Sequence, residues 1–189
     1  VDRGVRASTA HAYLRPCENR PNLRILTNAL VNRIVVRNQK AVGIEYQRNG
    51  KFFKLRAKKE IIISCGSIGS PVLLQRSGIG PKKILDNAGI KCVINLPGVG
   101  QNLQDHLEIY FQHQCKEPIS LNGKIGVIDK SIIAASWLFF KRGLGATNHF
   151  ESCAFIRSNA GIEWPDIQYH FLPGAMRYDG RAAFKGHGF

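Results

Sequence analysis

The sequence predicts an α/β first part, followed by an α+β second part built on an antiparallel sheet. Three observations lead there. The apolar run Ile61-Ile62-Ile63-Ser64-Cys65 is followed by a glycine turn and then by helix-like segments. Upstream, Val42, Ile44 and Tyr46 alternate with Gly43, Glu45 and Gln47, the two-residue period of a half-buried strand. Beyond Asp105 the composition shifts from basic to aromatic-rich, which predicts two domains, 1–105 and 106–189.

Near the N-terminus, Ser8-Thr9 predicts the cap of a short helix running to Arg15, with Pro16 helping to end it. From Asn22 the pattern becomes strand-like through Leu23, Ile25, Val31, Ile34 and Val36, up to a turn at Asn38-Gln39-Lys40. Asn49-Gly50 signals a tight hairpin, and Phe52 to Arg56 is the return strand. Ile61-Ile62-Ile63 is apolar on both faces, as a central parallel strand would be. Ser70-Pro71 predicts a helix start with proline at the first position, stopping at Ser77-Gly78. Pro81 opens a second helix that Gly89 closes. Ile90 to Asn95 and Leu107 to Cys115 are predicted strands, with a tight loop at Pro97-Gly98-Val99-Gly100 between them. Val127 to Arg142 is a predicted helix, and Asp166 to Leu172 a further strand.

Composition excludes several classes. Hydrophobic residues make up 44% of the 189 positions, enough for a packed core and against disorder. No apolar run reaches the roughly 20 residues that span a bilayer, and no signal peptide is visible. The net charge of +14 is concentrated in residues 1–60, where 14 Lys and Arg stand against 4 Asp and Glu. These cations alternate with core positions and form no block, which predicts a solvated basic face and no nucleic-acid partner. The cysteines at 17, 65, 92, 115 and 153 form no C-x-x-C and no metal spacing with histidine, so no metal site is predicted. An odd, scattered set predicts reduced thiols and a cytoplasmic location, with Cys65 and Cys92 as small buried hydrophobes. The chain begins Val1-Asp2-Arg3 and stops at Gly186-His187-Gly188-Phe189, and both ends read as cuts through a longer protein.

A glycine turn between a buried strand and a helix is a place where nucleotide cofactors are held. Here the turn and helix read G-S-I-G-S-P-V-L-L-Q-R-S-G-I-G from Gly66 to Gly80. That spacing resembles the second signature of the glucose-methanol-choline (GMC) flavoprotein oxidoreductases. Arg20-Pro21-Asn22-Leu23, Leu26-Thr27 and Val31 resemble the family's adenine-side strand, and Ala41-Val42-Gly43-Ile44-Glu45 the segment after it. Leu96 to His106, L-P-G-V-G-Q-N-L-Q-D-H, resembles the motif that follows the signature. Cys115 to Pro118, Gly145 to Glu151 and Trp164 to Pro173 resemble the family's choline dehydrogenase branch.

The resemblance implies a Rossmann-like FAD-binding sheet carrying an antiparallel β-meander, then a substrate domain, both incomplete. It implies FAD as cofactor, with Val31, Cys65, Gly66, Ser67, Asn102, Asp105 and His106 on the cofactor side. It implies choline or a similar small alcohol as substrate, and betaine aldehyde, on the path to glycine betaine, as product. Glu108 would face the trimethylammonium group, and His170 would position the substrate oxygen. Trp164, Tyr169, Phe171, Tyr110 and Trp137 are the candidates for an aromatic cage around that cation. The family's N-terminal G-x-G-x-x-G and its catalytic C-terminal histidine are absent from these 189 residues, so the implied activity is not expected of the chain alone. Loop capping competes for Asn102 and Asp105, and plain packing for the aromatic residues. The electron acceptor, oxygen or a respiratory quinone, stays open, as does peripheral association with the inner face of a membrane. The rival readings are a GMC enzyme for another primary alcohol and a non-catalytic basic binding module.

Overall fold

The computed structural model describes residues 1–124, 126–150, 152–175 and 186–189. The chain divides into two compact units, Arg24–Leu107 and Val1–Leu23 with Glu108–Phe189.

The Arg24–Leu107 unit starts with a three-stranded antiparallel meander in the order β1 (Leu30–Arg37), β2 (Lys40–Arg48), β3 (Lys51–Arg56). Both connections are two-residue turns. Asn38 and Gln39 sit at φ 48° and 60°, and Asn49 and Gly50 at φ 50° and 73°. Positive φ at both central residues matches the twist of the flanking strands, so Arg37 pairs with Lys40 and Arg48 with Lys51. β1 shifts register twice, between Val31 and Arg33 and between Val35 and Val36. On its inner side Ile34 is 4% exposed.

The chain then enters α1 (Gly66–Arg76), which buries Leu73 and packs on β1. Ser77 ties the two together: its hydroxyl accepts the Ile34 N–H at 2.8 Å and donates to the Leu73 carbonyl at 2.6 Å. Gly78 at φ 80° takes the chain out of the helix, and the site suits glycine, because a Cβ there would lie 2.6 Å from the Lys91 carbonyl oxygen. β4 (Ile79–Gly80), α2 (Lys82–Asn87) and β5 (Ile94–Asn95) follow, with β4 and β5 paired in parallel. Pro81 stands at the cap of α2, Asn95 Oδ1 accepts the Lys82 N–H at 3.0 Å, and Leu85 is 1% exposed beneath it.

The unit of Val1–Leu23 and Glu108–Phe189 contains α3 (Val127–Phe140) and an antiparallel pair, β6 (Ser152–Ile156) with β7 (Ile167–Phe171). α3 ends at Phe140, two residues before the predicted Arg142, and Lys141, with a φ of 54°, takes the chain out of the helix. The Lys141 ammonium sits 3.8 Å over the Trp137 ring, while Trp137 Nε1–H donates to the Gly4 carbonyl at 2.7 Å. Trp137 is thereby a structural anchor within this unit. Among the described residues no helix is long and apolar enough to cross a membrane.

Several expectations are corrected. Ile61–Cys65 is not a strand: no described residue pairs with it, Ile62 is 79% exposed, and Cys65 is exposed as well. A segment apolar on both faces needs a neighbour on each side, and this one has none, so Cys65 is not the buried hydrophobe expected. Cys92 is half-buried. α1 begins at Gly66, so Pro71 lies inside the helix, and Ser70 accepts the Cys65 N–H at 3.1 Å instead of starting a helix. The strand expected at Ile90–Asn95 contracts to its last two residues. In the strand expected at Leu107–Cys115, His113 and Cys115 bond to Phe189 and His187. The N-terminal helix continues past Pro16 to Cys17, with Ser8 accepting the His11 N–H at 3.3 Å. β6 arises without an alternating pattern to announce it.

Candidate functional site

In the Arg24–Leu107 unit, an open groove of about 830 Å³ runs along α1, lined among others by Ser67, Ser70, Gln75, Gly100, Asn102 and Gln104. Its geometry comes from the glycine turn. Gly66 has φ 81°, a conformation costly for any residue with a Cβ, and places α1 directly after Cys65. The Pro97–Gly100 loop forms the opposite wall. Gln75 Nε2 donates to the Val99 carbonyl at 3.2 Å, and a Cβ on Gly100 would lie 2.8 Å from that same nitrogen. The loop can approach α1 this closely only because position 100 has no side chain.

The residues assigned to the cofactor side divide accordingly. Ser67 and Asn102 line the groove, and Gly66 begins the helix beside it. Cys65 contributes its backbone, bonded to Ser70, while its thiol is exposed. Asp105 accepts the His106 N–H at 2.8 Å. Val31 sits on β1 opposite Tyr46, away from the groove lining. Gln75 joins the site without a forecast. Its one sequence signal is an amide following the apolar run Pro71–Leu74.

In the other unit, Glu108 accepts a hydrogen bond from the Tyr110 hydroxyl at 2.8 Å, which orients an exposed carboxylate. His170 stands on β7 directly opposite Cys153 on β6, and its ring meets Phe150 edge-on at 5.3 Å and 66°. Tyr169, next along β7, faces Ala154 and is 48% exposed. Trp164 is 72% exposed in the β6–β7 connection. That connection is pinned by Asp166, whose carboxylate takes the Ser158 hydroxyl at 2.6 Å and the Ser158 N–H at 2.8 Å; these bonds hold it below the usual carboxylate range. The ring against His170 is thus Phe150, and the partner of Glu108 is Tyr110. Phe150 belongs to the Gly145 to Glu151 segment of the resemblance, of which Glu151 lies outside the described residues. A hollow of about 520 Å³ in the same unit is lined by Arg6, Trp137, Thr147, Asn148 and Phe150 among others.

The glycine-shaped groove beside the helix N-terminus, the meander packed on that helix and the motif at Leu96–His106 all lie in the Arg24–Leu107 unit. The GMC oxidoreductase model matches residues 1–108, and the chain belongs to that family. Over all 189 residues it is 57% identical to a protein from Photobacterium profundum named oxygen-dependent choline dehydrogenase, covering 33% of that relative's length. Among solved structures, it resembles an FAD-dependent oxidoreductase from Chaetomium thermophilum with a TM-score of 0.63 and 30% identity, over 78% of this chain and 26% of the other. It also matches Aspergillus oryzae formate oxidase with a TM-score of 0.87 at 20% identity, over 98% of this chain and 37% of that one, a likeness of fold. The chain therefore spans about a third of the length of the relatives it matches.

Proposed function

We propose that these 189 residues work within a longer FAD-dependent dehydrogenase that oxidises choline to betaine aldehyde. The observation that carries this reading is the 57–58% identity, over the whole chain, to proteins named oxygen-dependent choline dehydrogenases. The groove along α1 fits a dinucleotide: it offers hydroxyl and amide groups from Ser67, Ser70, Gln75 and Asn102, and glycine at the close approaches. FAD, when bound, accepts the hydride from the alcohol carbon. Gly66 and Ser67 would hold it by letting the backbone come close, and Asn102, Asp105 and His106 would close the loop over it.

On the substrate side, Glu108 supplies charge for a quaternary ammonium that has no proton to donate. At 4 Å such a pair is worth about 1 kcal/mol in water-like surroundings and about 4 at an intermediate dielectric, so the carboxylate is effective only where water is excluded. Tyr110 fixes its direction. His170, braced by Phe150, would hold the alcohol oxygen while the hydroxyl proton leaves to a base outside these residues. Trp164 and Tyr169 would add π-faces to the cation site. Oxygen is the acceptor this reading favours over a quinone, following the relatives' name. The test is anaerobic bleaching of the flavin in the full-length polypeptide that carries this sequence. Rapid bleaching by choline, with little by its neutral isostere 3,3-dimethylbutanol, is expected. Bleaching by the neutral alcohol alone would keep the family and overturn the substrate.

A further inference from the structure

Ser120 is 8% exposed, and its hydroxyl oxygen faces three groups at once. The Gly188 N–H donates to it at 3.1 Å, Asn122 Oδ1 lies 3.3 Å away, and His187 Nδ1 lies 3.1 Å away. The orientation of the Asn122 amide is fixed independently: its Nδ2 donates to the Ala175 carbonyl at 2.7 Å, and its Oδ1 accepts the Ala175 N–H at 2.8 Å. Oδ1 is therefore the atom facing Ser120, and it can accept the serine proton. Ser120 and His187 Nδ1 share one hydrogen, given by the serine hydroxyl or by the imidazole according to the tautomer.

The cluster is built for close contact. A Cβ on Gly123 would lie 2.5 Å from His187 Cε1, and one on Gly188 would lie 2.8 Å from the Ala175 side chain. It also reaches β7. The Leu121 N–H donates to the Pro173 carbonyl at 2.7 Å, and Phe189 packs against Phe171 at 5.5 Å. Phe171 is the neighbour of His170, and Pro173 lies three residues beyond it. We propose that Ser120, Asn122 and His187 form a polar clamp that sets the position of the end of β7, and with it His170. They are positioning residues, and the proposal rests on the reading of His170 as the group that holds the substrate oxygen.

The test uses the full-length polypeptide carrying this sequence, loaded with FAD. Nitrogen NMR on histidine-labelled protein should show His187 Nδ1 held in a hydrogen bond, as donor or as acceptor; an Nδ1 signal with neither signature would overturn the clamp. This measurement needs no variant and stands even where a substitution prevents folding. Ser120→Ala and Asn122→Ala should each lower kcat for choline about tenfold at unchanged FAD content, because a small displacement of a positioning group is felt in the transition state. Ser120→Thr, which keeps the hydroxyl, should recover kcat to within about twofold of the parent. Unchanged kcat in both alanine variants would overturn the proposal. If His170→Gln leaves kcat intact, the role assigned to His170 fails, while the His187 Nδ1 signal still reports on the clamp by itself.

Discussion

Ser77 concentrates two hydrogen bonds on one oxygen that is almost out of contact with water. Replacing it with alanine leaves the Ile34 N–H without its acceptor inside the core. Ser77→Ala should destabilise the fold by about 1–3 kcal/mol, read as a lower denaturant midpoint at unchanged slope. At Glu108 the expected effect is on binding. Glu108→Gln keeps the shape and the bond from Tyr110 but removes the charge. The choline KM should rise at least about tenfold, while the rate of flavin reduction at saturation changes little. An unchanged KM would remove Glu108 from the cation site. Gln75 shows the opposite kind of residue, one whose importance comes from the loop opposite it and not from its place in a motif.

Among the elements, the meander is held across its outer face by one carboxylate between two cations. Arg33 on β1 and Lys54 on β3 both reach Glu45 on β2, at 2.7 and 3.1 Å. The Arg33 bond first, then that of Lys54, holds the Glu45 carboxyl down to about 2, against an ordinary value of 4.5. A carboxyl depressed in the folded state binds protons more readily when the chain unfolds. Its contribution is therefore complete above pH 4.5 and is lost as pH falls through about 2. Urea midpoints measured from about pH 5 down to about pH 3 should fall less steeply in Glu45→Gln than in the parent. Because Arg33 and Lys54 are 57% and 80% exposed, the difference should shrink in high salt.

For the whole molecule, exposed apolar side chains are the telling feature. Among the described residues the strongly buried apolar ones are Ile34, Leu73, Ile79, Leu85, Val99 and Ala175. Large apolar side chains lie open along α3, with Ile128 at 77%, Phe139 at 74% and Phe140 at 71% exposure. The isolated 189-residue chain should therefore bind an apolar dye such as ANS strongly, and the full-length polypeptide should bind it weakly. Equal, weak binding by both would show that these surfaces are covered within the chain itself.

The amino-acid sequence determined what depends on neighbours along the chain. Asn49-Gly50 dictated a hairpin because both residues tolerate positive φ, and Gly78 and Gly89 ended helices for the same reason. The spacing from Gly66 to Gly80 carried the family, since those glycines and apolar positions serve a local turn–helix–turn geometry. Only the tertiary structure decided what depends on partners distant in sequence. Ile61–Cys65 reads as a central strand, but a strand exists only where another segment accepts its hydrogen bonds. Gln75 meets Val99, Phe150 meets His170, and Ser120 meets a histidine 67 positions away. No local period encodes such meetings; they follow from how the elements pack, which settles which polar atoms are left facing one another without water.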